Sequence, residues 1–408
     1  MNCLRWLLIA AALPADAQSL ASLVDEALRN SREILAAQKR YEAARQRPAS
    51  ASSLPDPSLS LGYASNGGPW PVAGIGREPT SNAGVMISQE MPFPGKRKLR
   101  GEIAEKEASA EFEAYRSARL NVVARLKQAY HELHHADVAI TYVKRYQELL
   151  RNILSVTEAR YSVGRAPQQD IFKAQTQFSI FQARLTQYEQ ERATKEIRIN
   201  ALLNRPADGH IEVPEEMALD ELTPLEEMLA RARLHTPELA REQKMVERNE
   251  LASNLARKDY YPDYTVSGGY FNQGSMPPMW QFRVDFKIPA YFWRKQRSEV
   301  NGQAFAASEA RHNYEAAEVS LQSRIRTDYT IAQTARTLID LYQKSVIPEA
   351  QLALESSLAS YENGTIDFLS VFSNFMSVVD YELMYHEQIM QFHVALARLD
   401  EMTGREVE

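Results

Sequence analysis

Trp280-Gln-Phe-Arg-Val-Asp-Phe-Lys-Ile288 alternates without a break: Trp280, Phe282, Val284, Phe286 and Ile288 are apolar, while Gln281, Arg283, Asp285 and Lys287 are polar or charged. Successive side chains of a strand point to opposite faces, so this run predicts a strand with one apolar and one polar face. About nine residues is also the length of a tilted β-crossing of a bilayer core. Tyr264 to Phe271 supplies its partner, reached through the turn-rich Asn272 to Met279. Earlier in the chain, Leu59, Leu61 and Tyr63 alternate with Ser58, Ser60 and Gly62, and Val85 and Ile87 with Met86 and Ser88. Two soluble hairpins packed on helices remain the alternative that the pattern alone leaves open.

The two hairpins belong to one unit written twice. Leu54 to Tyr63 lines up with Tyr261 to Tyr270, 207 positions on; Pro92 and Lys96 to Glu102 line up with Pro289 and Trp293 to Glu299, 197 on; Ala159 to Gly164 lines up with Ala359 to Gly364, 200 on. The excess in the first copy falls in the Gly/Pro-rich segment 66–84, which reads as a loop. Matched segments in the same order are the mark of duplication. Between Pro94 and Pro167, Val122, Leu126, Ala129, Leu133, Ala136, Ile140, Val143, Gln147, Leu150 and Leu154 step by four and three. That 3.5-residue repeat predicts a supercoiled helix from the Gly95-Lys96 junction to about Tyr161, on the order of 100 Å long. The second copy repeats it from about Trp293 to Tyr361, with Pro348 kinking it. Return helices follow at about 168–203 and 366–402, and shorter helices precede the strands at about 20–47 and 224–258. The expected organisation is a first repeat over 18–205 (strands 57–65 and 84–91, helical hairpin 95–204) and a linker over 206–222. A second repeat follows over 223–408 (strands 263–271 and 280–288, helical hairpin 290–403).

Each hairpin interrupts helices too long to wrap around it, which leaves its apolar face for lipid. Tyr291, Phe292 and Trp293, with Phe93 at the matching place, resemble an interfacial aromatic girdle. Basic residues follow at once: Lys96, Arg97 and Arg100 in the first copy, Arg294 and Arg297 in the second. They read either as contacts to lipid phosphate at the membrane edge or as a solvated first helical turn. Four strands are too few to close a barrel, and open edges are forbidden in lipid. The chain must therefore oligomerise, and a homotrimer gives twelve strands continuing into twelve helices whose heptad faces need partners. The expected fold is mainly α with a membrane β-barrel part, duplicated, its trimeric 12-stranded β-barrel continuing into an α-helical barrel.

Bulk composition hides this. The chain has 408 residues, 53 acidic against 47 basic side chains and a formal net charge of −6, with a mean hydropathy of −0.42. The acidic balance argues against a nucleic-acid partner, and no run of 18 apolar residues suggests a transmembrane helix. Residues 1–17 carry Arg5, an apolar run from Trp6 to Leu13 and Ala15-Asp16-Ala17, the pattern of a secretory signal cleaved after Ala17. Cys3, the only cysteine, lies before the apolar run and is not placed like an acylated lipoprotein cysteine. Cleavage leaves a mature chain without a thiol.

The Pro92-Phe93-Pro94-Gly95-Lys96-Arg97 stretch with Arg100, the Pro55-Asp56 and Pro262-Asp263 pairs and the two Tyr-x-x-Gly tips together resemble the outer-membrane efflux (TolC-like) family. The Phe-Pro-Gly-Lys-Arg segment looks most like its heavy-metal (cobalt–zinc–cadmium or copper–silver) subgroup. The resemblance implies a trimeric passive channel in the outer membrane with a large periplasmic part, docked to a periplasmic adaptor and a proton-driven inner-membrane pump. It implies that the hairpin tips gate the pore and receive the adaptor. Tyr161, Gly164, Arg165 and Asp170 mark the first tip, and Tyr361, Gly364 and Asp367 the second. Relatives among the drug and toxin exporters carry an Arg two residues after the second glycine and an acid six after it; Ile366 and Ser370 stand there. Three copies of Asp367 facing the axis would form an acidic ring favouring cations, and Asp367 is equally placed to cap the return helix.

His131-Glu132-Leu133-His134-His135 satisfies the H-E-x-x-H pattern of zinc peptidases. Leu133 is a seam residue of the heptad helix, however, and the second copy has Ile331-Ala-Gln-Thr-Ala335 at the matching place. A histidine cluster on the surface with adventitious metal affinity accounts for it, and Met276 and Met279 would lie in an outer loop. No cofactor, phosphate loop or nucleophile constellation is indicated, and no enzymatic role. The expected function is a conduit for heavy-metal cations. The alternatives are a drug, organic-solute or protein-secretion channel of the same family, a secreted zinc peptidase using His131, Glu132 and His135, and a coiled-coil fibre without a pore.

Overall fold

The structure, a computed structural model, describes residues 19–65, 70, 72, 74–78, 80–214 and 217–405. The secretory segment 1–17 lies outside them, as does part of the loop 66–84.

Each copy opens with two helices rather than one: α1 (Leu20–Asn30) and α2 (Arg32–Ser52) in the first copy, α5 (Leu225–His235) and α6 (Pro237–Lys258) in the second. The breaks fall at Ser31 and Thr236, both extended and both with their N–H bonded back to the preceding helix. Helical periodicity runs on both sides of each break, which is why one continuous helix was the natural expectation. α2 also continues through Pro48 to Ser52, forgoing one backbone bond instead of ending at Arg47.

Strands β1 (Ser58–Ala64), β2 (Asn82–Met91), β3 (Asp263–Gln273) and β4 (Met276–Lys287) form one antiparallel sheet in the order β1-β2-β3-β4. The second hairpin turns at Gly274-Ser275, so Met276 and Met279 are strand residues paired with Gln273 and Phe271, not members of an outer loop. Register places Leu61 opposite Val85, Val85 opposite Tyr270, and Tyr270 opposite Trp280. The apolar positions of all four strands therefore share one face, and that face is bare: Trp280 is 67% and Phe282 84% exposed.

The long helices are α3 (Lys96–Ser162), α4 (Gln168–Leu203), α7 (Lys295–Leu341), α8 (Ile347–Glu362) and α9 (Phe368–Met402). Between α7 and α8 a π-helical turn, Tyr342–Val346, takes up the defect made by Pro348. Pro348 has no N–H, and the Ile347 N–H reaches back five residues to the Tyr342 carbonyl.

Two compact units divide the chain, each drawing on both sequence copies. The unit containing the sheet comprises Ala36–Arg116 and Pro237–Ser320; the other comprises the chain up to Leu35, Ser117–Thr236 and the chain from Leu321. The core of the latter joins Val143, Tyr146 and Leu150 of α3, Phe181 of α4, Leu354 of α8, and Phe368 and Phe375 of α9. The heptad seam of α3 is buried from Val122 to Leu150, with Leu154 half-buried. The chain's own helices cover it, so these faces do not await a second copy. Exposed apolar side chains lie on other helix faces, among them Phe305, Val319 and Leu341 of α7, Leu352 of α8, Phe172 and Ile197 of α4, and Leu369 of α9.

Candidate functional site

The two tips are built alike. α3 ends where the Gly164 N–H bonds Tyr161 O (2.9 Å) and the Arg165 N–H bonds Arg160 O (2.8 Å); α8 ends with Gly364 to Tyr361 (2.9 Å) and Thr365 to Ser360 (3.0 Å). Gly164 and Gly364 have φ of +75° and +76°, the left-handed turn that satisfies the last carbonyls and reverses the chain. The Asp367 carboxylate caps α9, accepting from the Ser370 N–H at 3.1 Å. These bonds to Ser370, with Lys173 nearby, hold the Asp367 carboxyl below its usual range. Burial pushes Asp170 upward, Lys173 opposes that, and Asp367 adds to it.

Environment separates them. Tyr161 is 44% exposed, whereas Tyr361 is 3% exposed. The Arg160 guanidinium lies 4.4 Å over the Tyr361 ring and donates to the Tyr361 carbonyl, and the Tyr361 hydroxyl meets Thr157 Oγ1 at 3.3 Å. One tip thus clasps the other within a single chain. Sequence reasoning named Tyr161 and Tyr361 but missed Arg160 and Thr157; the only signal was a cation in the last turn of α3, where the second copy has Ser360. Ile366, standing where relatives carry an arginine, is half-buried against the tip core. Arg165 is exposed.

At the strand–helix junctions the expectation for Lys96 needs correction. Its side chain is 3% exposed, with the ammonium 3.0 Å from Asp259 and 2.9 Å from Asp263. A charge so enclosed would lose its counter-ions by turning to lipid, so Lys96 is a tie inside the chain. The Asp263 carboxylate also accepts from the Phe93 N–H (2.7 Å), and Phe93 stacks on Tyr261 at 4.5 Å rather than joining a girdle. Arg97 donates to Ser52 O (2.8 Å), and Arg100 is exposed. In the second copy Tyr291, Phe292, Trp293, Arg294 and Arg297 are all exposed.

The histidine pattern is not on the surface. His131 is buried and stacked on His393 (4.4 Å between ring centres), with Nδ1 3.2 Å from Met217 Sδ, beside a cavity of about 460 Å³. Burial, then the neighbouring His393, lowers its pKa to about 3. Glu132 points elsewhere and pairs with Lys195 (2.8 Å) and Arg198 (3.5 Å). The parallel rings do not converge their lone pairs on one ion, and the would-be base is neutralised. Among the described residues no group of three His, Cys, Asp or Glu is arranged to hold a metal ion, and no helix is long and apolar enough to cross a membrane.

A family model described as outer membrane efflux protein matches residues 23–205 and again 228–405. The chain is 24% identical over 380 residues to the outer membrane protein TolC of Vibrio cholerae, covering 87% of this chain and 83% of that one. It is 21% identical over 405 residues to a probable outer membrane lipoprotein, SilC, of Salmonella typhimurium, covering 92% and 84%. The solved structure of CusC, described as forming a transmembrane channel, matches with a TM-score of 0.80 at 16% identity, covering 95% of this chain and 92% of that one.

Proposed function

We propose that this chain, which belongs to the outer membrane efflux protein family, acts as a homotrimer that carries heavy-metal cations out of the cell. It is an outer-membrane efflux channel by family, and its relatives are channels rather than enzymes. Three sheets close into a 12-stranded β-barrel, and the helical hairpins of the two repeats, 18–205 and 223–408 joined by 206–222, continue it as a tube in the periplasm. A periplasmic adaptor docks at the tips around Tyr161, Gly164, Arg165, Asp170, Tyr361, Gly364 and Asp367, and a proton-driven inner-membrane pump supplies the energy. Outer-membrane lipid meets the girdle of Tyr291, Phe292 and Trp293, with Arg97, Arg100, Arg294 and Arg297 at its edge. No nucleic acid is a partner.

The observation that carries this reading is the four-stranded sheet. Its apolar face is largely exposed and both outer strands lack a neighbour, an arrangement that lipid and further strands satisfy. Heavy-metal cargo is supported by the Phe93-Pro94-Gly95-Lys96-Arg97 segment and its resemblance to the heavy-metal subgroup. A deletion strain challenged with zinc, cobalt, cadmium, copper, silver and a drug panel tests it: sensitivity to one or more metals is expected. Sensitivity confined to drugs would replace the metal cargo with organic solutes.

A further inference from the structure

We infer that His131 Nδ1 and Met217 Sδ form a two-donor site for a soft monovalent cation, copper(I) or silver(I), between α3 and the segment that joins the two copies. None of its residues belongs to the tips or the sheet, and the site stands whichever cargo the channel carries.

α3 turns His131 inward, where its ring stacks on His393 of α9 with 6° between the planes. The stack holds the imidazole in one orientation, and Nδ1 then faces the Met217 sulfur at 3.2 Å. A thioether is a weak hydrogen-bond acceptor, so as a hydrogen bond this contact is a poor return for burying an imidazole. As a pair of soft donors it is a good one. Packing does not demand these histidines: 200 positions away in the other copy, Ile331 and Ala193 take their places. Met217 lies between the two family matches, 23–205 and 228–405, and so has no duplicate.

Room for an ion adjoins the contact. The cavity of about 460 Å³ is lined by both histidines, Met217, Tyr130, Leu396 and Asp220. His393 Nε2 is buried without a hydrogen-bond partner among the described residues, which calls for a water or a ligand. Bonds of about 2.0 Å to nitrogen and about 2.3 Å to sulfur require the pair to open by about 1 Å. An unbranched methionine outside any helix or strand makes that movement readily. The rings being parallel, His393 does not share the ion; it is a positioning residue that aims His131.

Donor chemistry selects the ion. Thioether sulfur favours copper(I), whereas magnesium, calcium and manganese prefer oxygen. Zinc takes four ligands at a structural site, more than this pair supplies, while a filled-shell monovalent ion is content with two. Charge brings the cation near: residues 212–227 hold seven acidic side chains and no lysine or arginine. Asp220, at the cavity, makes no ion pair among the described residues. These acids raise the local cation concentration, and sulfur and nitrogen do the choosing.

Full-length protein carrying Cys3→Ser, without a polyhistidine tag, is to be purified from outer membranes in detergent. It is titrated anaerobically with copper(I) against a chromogenic copper(I) chelator, and separately with silver(I), and X-ray absorption is recorded on the loaded protein. One equivalent per chain is expected, with both sulfur and imidazole nitrogen bound to the metal. Met217→Leu, which conserves volume, and His131→Leu should each weaken binding about tenfold or more, and Met279→Leu should leave it unchanged. No binding, binding indifferent to Met217→Leu, a spectrum without sulfur, or a preference for zinc(II) would overturn the site and leave the histidines an adventitious cluster. The spectrum of the unsubstituted protein decides even where a variant fails to fold.

Discussion

After β2 the chain enters its long helix through a buried lysine held by two aspartates; after β4 it enters through three exposed aromatics and two unpaired cations. The two passages descend from one repeated segment, Pro92 to Glu102 against Pro289 to Glu299. What differs is the neighbour: β3 and its flanking acids tie down the first passage, whereas the second follows an outer strand, touches Tyr260 through Phe292 and, among the described residues, gives Arg294 and Lys295 no ion-pair partner. The tips show the same contrast. Tyr361 is clasped by Arg160 and Thr157, while its counterpart Tyr161 is left open. Duplication makes equivalent surfaces, and the fold uses one member of each pair internally, leaving the other exposed.

The sharpest way to break this comparison is Lys96→Ala. It strands Asp263 beside the buried seam and should cost about 3 kcal/mol, read from denaturant unfolding of detergent-solubilised protein. Lys295→Ala, on the open passage, should stay within about 0.5 kcal/mol when the protein is monomeric. Equal losses would show that the two passages are not differently satisfied.

The next largest effect is pH-dependent and belongs to the first copy, since Ile331 occupies the place of His131 in the second. His131 is held neutral with a pKa of about 3, below the roughly 6.5 of an unfolded histidine. A base depressed in the folded state gives stability that is complete above pH 6.5 and lost as pH falls towards 3. About 2.7 kcal/mol should be gone by pH 4.5, and His131→Leu should flatten that part of the thermal-stability profile.

At the tips, Arg160→Ala removes the cation over Tyr361. Planar-bilayer recordings should show open probability raised roughly tenfold, from an interaction of about 1–2 kcal/mol, with Ser360→Ala unchanged. The smallest structural effect is that of Asp367→Asn. Asparagine caps as well as aspartate, so helix stability should be nearly unchanged. A fall in cation selectivity in the same recordings would support an acidic ring, and unchanged selectivity would leave Asp367 as a cap alone.

The strands were legible because a period of two survives any tertiary context, and the long helices because a 3.5-residue repeat does. The breaks at Ser31 and Thr236 were not, because one residue leaving the helical region does not disturb the apolar spacing around it. The burial of Lys96 depends on Asp263, 167 residues away, and the clasp of Tyr361 on Arg160, 201 residues away. Neither partner is marked by spacing, so Lys96, read within a basic run as a lipid contact or a solvated turn, and His131, read as part of a surface cluster, both proved to be interior.

By itself the sequence determined the duplicated unit, the alternating strands, the glycine turns at the tips and the family. The strands and turns follow from local periodicity and backbone preference, the duplication from matched segments in the same order, and the family from the resemblance of the Pro92–Arg100 stretch and the two tips. Only the tertiary structure decided that the four strands form one sheet with open outer edges, that the α3 seam is covered by its own chain, and which duplicate charges remain unpaired. Those outcomes depend on which distant side chains share a desolvated space, and two copies of one segment acquire different roles when only one has a neighbour.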